Sequence, residues 1–255
     1  FYLLTGIEDA TLLGDGDDDS GEIYNTITLM KGDTSTYQSH RKVHLVPLGE
    51  YIPFRGKFPL FEWIAGGIIE EDFTPGTSFE PLILEKDGHG IGIIPLICFE
   101  DTVPRHTRKF IRNGPQVMVN VSNDGWFRES AEPIHHYNNA IFRCIEFRRP
   151  MIRAANTGVS AFIDSRGSVF SRKEADGFPR ILQDEETGST FIRGSLPANV
   201  EIDLNPPTTI YAMIGDAFSL SLGVIALLIT SGCVIVNRRR KKSISPEHEN
   251  QQQGL

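Results

Sequence analysis

The sequence predicts an α/β domain followed by one membrane-spanning helix. Short apolar runs rich in β-branched residues alternate with segments of helical periodicity, which is typical of an α/β layered fold. An uncharged run of 20 residues, 217–236, then follows the globular part. With 255 residues, 40% of them hydrophobic and 23% charged, the chain is long enough for one large domain or two small ones, which excludes disorder throughout.

The strands and helices of the globular part are predicted from their apolar patterns. We predict strands over 91–99, 117–122, 151–155 and 159–163, with helices over 103–112 and 131–148. Apolar residues recur in the second helix at spacings of three and four, which predicts one stripe facing the core: Ile134, Tyr137, Ile141, Cys144 and Ile145. The chain begins with strand-like residues and no signal peptide, so we expect it to be part of a longer protein.

The uncharged run from Ala217 to Val236 is long enough, as a helix, to cross a hydrocarbon core of about 30 Å. A buried core helix is the less favoured alternative, because the run lacks a polar face. Five basic residues follow at 238–242. Since such residues stay preferentially on the cytoplasmic side, we expect residues 1–214 to be extracytoplasmic, 215–237 to span the membrane, and 238–255 to form a basic, then disordered, cytoplasmic tail.

Several classes of function lack support in the sequence. The formal net charge of -8 gives no basis for a nucleic-acid partner, and three cysteines are too few for a disulfide framework. No motif indicates a metal, a nucleotide or a redox cofactor, so we expect none. The acidic segment 15–22 resembles half a calcium loop but lacks flanking helices, and we interpret it as a solvated hairpin tip.

The aromatic segment from Tyr51 to Ile69 is interrupted by Pro and Gly. Two interpretations stay open. The segment is either a flap that touches lipid or covers a pocket, or a loop folded onto the core of its own domain.

Candidate chemistry is concentrated at the ends of predicted strands. Cys98 ends a buried strand just before a turn, where α/β proteins commonly place reactive groups. Glu100 follows it, and Asn123 and Trp126 come at the end of the next strand. Lys42 lies where a basic cluster enters an apolar run, and a buried lysine beside a carboxylate could stabilise a developing oxyanion.

Four segments in this order, 42–53, 97–100, 119–127 and 153–160, resemble the nitrilase (carbon-nitrogen hydrolase) superfamily. Within it they are most similar to the apolipoprotein N-acyltransferases. The resemblance implies an α-β-β-α sandwich, incomplete at its N-terminal side. It also implies an enzyme of the cell inner membrane with a periplasmic catalytic domain, a phospholipid acyl donor and a lipoprotein acceptor.

The resemblance assigns roles residue by residue. Cys98 matches the nucleophile, which takes the acyl group as a thioester and passes it to the N-terminal amine of a lipoprotein cysteine. Lys42 matches the lysine that stabilises the oxyanion, together with the backbone N–H after Cys98. Supporting active-site positions fall on Glu50, Phe99, Glu100, Asn123 and Trp126, and structural support is expected from His136 and Glu146. Two residues depart from the pattern: Phe99 stands where these acyltransferases commonly have Tyr, and Arg128 where they have Gly.

The general base of the family is a glutamate on a strand upstream of the lysine. Glu8, Asp9 and Glu22 lie in the wrong sequence context for this role. We therefore expect the base to precede Phe1 and this chain alone to be inactive. Two other functions stay open: a membrane-anchored amidase of the same superfamily, and an inactive single-span binding module.

Overall fold

The computed structural model describes residues 1–12, 21–32, 36–65, 69, 71–168 and 181–244. The acidic residues 15–20 therefore lie outside the described residues, as do 66–68 of the aromatic segment. The chain divides into two compact units, one of residues 1–212 and one that begins at Met213.

The secondary structure of the first unit is mainly β. Its strands are β1 (Tyr2–Leu12), β2 (Gly21–Lys31), β3 (Tyr37–Arg41), β4 (Leu82–Lys86), β5 (His89–Ile97), β6 (Gln116–Ser122), β7 (Met151–Ala155) and β8 (Ala161–Ile163). The helices of the chain are α1 (Pro59–Ala65), α2 (Pro104–Arg108), α3 (Glu132–Phe147), α4 (Ile210–Ile214) and α5 (Ala217–Ile244). Two 3-10 turns follow strands, Cys98–Thr102 after β5 and Asp124–Phe127 after β6.

The strands form two sheets. β1, β2 and β3 make an antiparallel sheet in that order, and β4 to β8 make a five-stranded sheet in sequence order. The central strands β5, β6 and β7 are parallel, whereas β4 and β8 pair antiparallel at the edges. The carboxyl ends of β5 and β6 thus lie at one edge of the sheet, and both strands lead there into their 3-10 turns.

Alternating side chains of β5 and β6 bury two different cores. Ile93 and Val119 pack with Ile27 and Leu29 of β2, which joins the two sheets face to face. Residues on the opposite face of the same strands, such as Leu96 and Met118, pack instead in the core between this sheet and the helices. Because successive strand residues point to opposite faces, one continuous apolar run supplies both layers.

The predicted α/β fold is confirmed, with layers in the order helix, sheet, sheet. Within the described residues, α3 packs on the face of the five-stranded sheet that is turned away from the three-stranded sheet.

Several predicted boundaries need correction. β5 ends two residues before Phe99, because Cys98 has a φ of 51° and leaves the extended conformation. α2 ends at Arg108, after which the Gln116 side chain accepts from Arg112 N and donates to Phe110 O in place of helical bonds.

The apolar stripe predicted for α3 is partly wrong. Tyr137 and Cys144 are buried and Ile141 packs against the core, but Ile134 and Ile145 are exposed. The buried face includes two polar side chains, His136 and Arg143, whose partners are charged and polar groups beneath the sheet edge. A prediction from apolar residues alone therefore assigned part of the wrong face of this helix to the core.

The second unit contains the long helix α5. Within its segment Ala217–Arg240, a window of 18 residues has a mean hydropathy of 2.3, and α5 is the one helix in the described part of the chain that is long and apolar enough to cross a membrane.

Candidate active site

The turn after β5 exposes the candidate nucleophile. Cys98 is half-buried and lies in the left-handed region of the backbone map, a conformation that costs a non-glycine residue about 1–2 kcal/mol. The 3-10 turn begins at this residue. The strand end and the left-handed backbone thus place Cys98 on a sharp bend at the sheet edge.

Glu100 joins this bend to the segment that carries Lys42. Its Oε1 accepts from the backbone N–H groups of Val43 (2.8 Å) and His44 (2.9 Å), and its Oε2 accepts from Ile97 N (2.9 Å). Burial raises the pKa of Glu100 from 4.5 to about 7, against the opposing effect of these hydrogen bonds. Glu100 therefore works through backbone donors, as a link between two chain segments.

Lys42 follows β3 directly and is buried, with 1% of its side chain exposed. Its Nζ lies 2.8 Å from both oxygens of Glu50. Glu50 also accepts from the Asn25 side chain and from Val46 N, so its carboxylate is oriented from three directions. The pairing predicted between Lys42 and a carboxylate is present, and Asn25 of β2 is a partner that the sequence did not indicate.

The other predicted site residues are more exposed. The Phe99 ring is 40% exposed and stacks on His44, with centroids 6.3 Å apart. Asn123 accepts from Gly125 N and from the Asn156 side chain, both at 3.3 Å. Trp126, in the 3-10 turn after β6, is 77% exposed. These three residues lie in or beside the turns at the carboxyl ends of β5 and β6.

A buried polar network lies beneath Cys98, and sequence reasoning identified only one of its members, His136, as structural support. The network contains Asp101, Asn120, Asp124, His136 and Arg153, each 4% exposed or less. A sequence signal did exist, because Asn120 and Arg153 interrupt apolar strands, where a buried polar side chain requires a partner. Glu146, also expected to give structural support, accepts from Arg143 at 2.7 Å.

The upstream carboxylates have other partners. Asp9 pairs with Arg41 at 3.1 Å, and Glu22 accepts from the Tyr24 hydroxyl. Among the described residues there is no group of three or more His, Cys, Asp or Glu side chains arranged to hold a metal ion.

Comparison with known proteins links this arrangement to a family. Residues 2–177 match the model of the carbon-nitrogen hydrolase family. An amidase of the nitrilase superfamily from Nesterenkonia covers 66% of this chain and 55% of its own, at 17% identity and a TM-score of 0.42.

Curated relatives are more similar in sequence. The apolipoprotein N-acyltransferase of Geobacter metallireducens is 35% identical over 178 residues, which are 70% of this chain and 30% of that protein. The enzyme of that name from Nitrosomonas europaea is 40% identical over 153 residues, 58% of this chain and 29% of that protein. The chain thus spans about three tenths of the length of these relatives. Because the family model covers well over half of its residues, the chain belongs to the carbon-nitrogen hydrolase family.

Proposed function

We propose that this chain carries the nucleophile of an apolipoprotein N-acyltransferase. The acyl group of a phospholipid passes to Cys98 and then to the N-terminal amine of a lipoprotein cysteine. The observation that carries the proposal is the bend at Cys98, which Glu100 ties to the segment of the buried Lys42–Glu50 pair. The names of the curated relatives favour this reaction over other acyl-transfer chemistry.

The proposed reaction has two steps. In the first, Sγ of Cys98 bonds to the acyl carbon, the ester C–O bond breaks, and the lysophospholipid oxygen takes the proton. In the second, the amine attacks the thioester, the N–C bond forms, and the sulfur leaves with a proton. A general base moves these protons, and the resemblance assigns that role to a glutamate upstream of Lys42.

Lys42 is the proposed oxyanion donor. An ammonium has three N–H bonds, and Nζ donates one of them to Oε1 of Glu50, while Oε2 lies at the same distance of 2.8 Å. The two oxygens of one carboxylate engage at most two of the three N–H bonds. The third is then available to the negative oxygen of the tetrahedral intermediate, which a buried cation stabilises strongly.

The aromatic segment supports a lipid substrate. Ile52 and Ile69, near its ends, are buried in a small cluster with the partly buried Leu48 and Phe61, so this part of the segment packs against itself. Between them, Phe54 and Trp63 are 63% and 82% exposed, together with Phe58, Leu60 and Ile64. We propose that this apolar surface adjoins the acyl chains and that α5 anchors the protein in the inner membrane, with residues 1–214 on the periplasmic side.

The test uses the native protein, purified from membranes in detergent. Incubation with a phospholipid that carries an isotope-labelled acyl chain is expected to add one acyl mass to Cys98, released by hydroxylamine. Addition of a diacylglyceryl-cysteine peptide is expected to move the label to its amine. Cys98→Ala should lose the adduct, while Cys144→Ser, at a buried cysteine of the helical core, should keep it.

The alternatives have different outcomes. Ammonia released from small amides, without lipid transfer, would identify an amidase. A folded protein with neither adduct nor amide hydrolysis would favour the binding module.

A further inference from the structure

The Cys98 carbonyl oxygen is held by two buried side chains from different elements. Asn120 Nδ2 of β6 donates to it at 2.9 Å, and His136 Nε2 of α3 lies 3.2 Å from it. The paired residues of β5 and β6 end at Ile97 and Val121, so Cys98 lies beyond the ladder between these strands. The two side chains therefore replace the support that a sheet would give this peptide group.

Arg153 sets the orientation of Asn120. These residues are neighbours on β6 and β7, and Arg153 Nη1 donates to Asn120 Oδ1 at 3.0 Å. Since an amide has its acceptor and its donors on opposite arms, this bond turns Nδ2 toward Cys98. Arg153 Nε donates to Val159 O at 3.1 Å, which fixes the guanidinium in turn.

His136 is fixed by carboxylates on both ring nitrogens. Nε2 lies 2.8 Å from Asp101 Oδ1, and Nδ1 lies 3.1 Å from Asp124 Oδ1. Burial alone would lower the pKa of His136, but the hydrogen bonds that it donates to the two carboxylates raise it to about 10. Arg153 also contacts both carboxylates, so two cations balance two anions in a sealed cluster. Because Nε2 faces only acceptors, it carries a proton and donates.

A left-handed non-glycine residue persists only where its surroundings hold it. At Cys98 the contacts that hold this conformation are made to the carbonyl oxygen. Rotation of this peptide group would move Sγ away from a bound acyl carbon. We propose that Asn120 and His136 are positioning residues, oriented by Arg153 and the two aspartates, that clamp the Cys98 carbonyl and thereby aim the thiol. This inference rests on the proposed role of Cys98 as nucleophile.

The test uses two reagents on the native protein in detergent. With p-nitrophenyl acetate, Sγ bonds to the acetyl carbon, p-nitrophenolate leaves, and the thiol proton goes to the buffer. The burst of p-nitrophenolate measures attack on a carbonyl, which needs an aimed thiol. Alkylation by iodoacetamide, in contrast, needs only a thiol that the reagent can reach. The ratio of the burst rate to the alkylation rate at Cys98 therefore reports the orientation of the thiol, separately from folding and from solvent access.

A matched pair on β6 gives the first comparison. Asn120→Ala removes the clamp, while Gln116→Ala removes another buried amide of the same strand that bonds backbone groups away from Cys98. We expect Asn120→Ala to slow the burst by about 10–100-fold, with alkylation within threefold, because small misplacements of reacting groups are costly. Gln116→Ala should leave the ratio unchanged. Equal ratios in the two variants would overturn the proposal.

A second pair decides the question if Asn120→Ala does not fold. His136→Gln keeps an amide nitrogen near the place of Nε2, whereas His136→Asn keeps one near the place of Nδ1. Both remove the cation, so they share its cost in stability. We expect the Gln variant to retain a burst at least tenfold faster than the Asn variant, and equal bursts would refute the clamp. A wild-type burst without lipid transfer would reject the proposed acyltransferase alone, whereas no burst would reject the nucleophile and its positioning together.

Discussion

Lys42 and Arg153 are both buried cations, and each has a proposed role in the reaction at Cys98, yet their donors are used differently. Glu50 engages at most two of the three N–H bonds of Lys42 Nζ, so at least one is left for a further acceptor. Arg153 distributes its donors among Val159, Asn120, Asp101 and Asp124. A cation that stabilises a reaction intermediate needs a donor to spare, whereas one that fixes geometry needs all its donors engaged. The proposed catalytic role thus falls to Lys42 and the positioning role to Arg153.

The largest expected effect is on stability at Arg153. Arg153→Met leaves two buried carboxylates to share the single cation of His136, which costs about 3–5 kcal/mol of the free energy of unfolding. The matched control is Arg149→Met, since Arg149 is equally buried but bonds only backbone carbonyls. Urea titration in detergent checks both. Equal losses in the two variants would mean that the carboxylates do not depend on Arg153.

Lys42→Met is expected to act mainly on the reaction. Loss of the oxyanion donor should lower kcat about 10²–10³-fold. Stability should fall less than in Arg153→Met, because Glu50 keeps its bonds from Asn25 and Val46. The neighbouring Arg41→Met, which breaks a half-exposed pair with Asp9, should leave kcat unchanged. A loss of kcat in the Arg41 variant similar to that in Lys42→Met would contradict the assignment.

Glu100 titrates in a lower pH range than His136 of the buried network, because its pKa is raised to about 7 and that of His136 to about 10. Below pH 4.5 Glu100 is neutral in both states, and between 4.5 and about 7 the unfolded chain ionises while the folded chain keeps its proton. The raised pKa therefore weakens the fold as pH rises through this window, by about 3 kcal/mol in total.

Glu100→Gln should flatten this part of the stability curve. Unfolding temperatures measured at several pH values from 4.5 to 8 check it. Glu80→Gln, at an exposed glutamate paired with Arg112, should reproduce the wild-type curve. Parallel curves for wild type and Glu100→Gln would show that another group titrates.

The smallest expected effect is at Phe99. Because the ring is 40% exposed and stacks on His44, a hydroxyl can be added without burying it. Phe99→Tyr should change kcat and KM for the phospholipid by about twofold or less, since an exposed hydroxyl contributes little. A tenfold gain would mean that the hydroxyl usual in these acyltransferases makes a specific contact to the acyl donor.

The three central strands of the five-stranded sheet were predictable because they depend on local apolarity, whereas the edge strand β4 was not predicted. β6 and β7 lie within one residue of their predicted bounds. The prediction weakened where polar side chains replaced the regular pattern, as in α3, where burial of His136 moved Ile134 to the surface. The rotation of a helix about its axis depends on where its buried polar side chains find hydrogen-bond partners. For His136 those partners are Asp101 and Asp124, which lie on other elements.

The sequence by itself determined the family motifs, the central strands, the long apolar helix, and the choice of Cys98, Lys42, Glu50 and Glu100 as candidates. The strands and the helix depend on residue type and local spacing, and the choice of candidates depends also on the family resemblance. Only the tertiary structure decided that Glu100 bonds the backbone of Val43 and His44, and that Asn120 and His136 meet at the Cys98 carbonyl. These contacts join residues 22 to 57 positions apart, and pairing across such separations is set by strand register and packing, which no local pattern encodes.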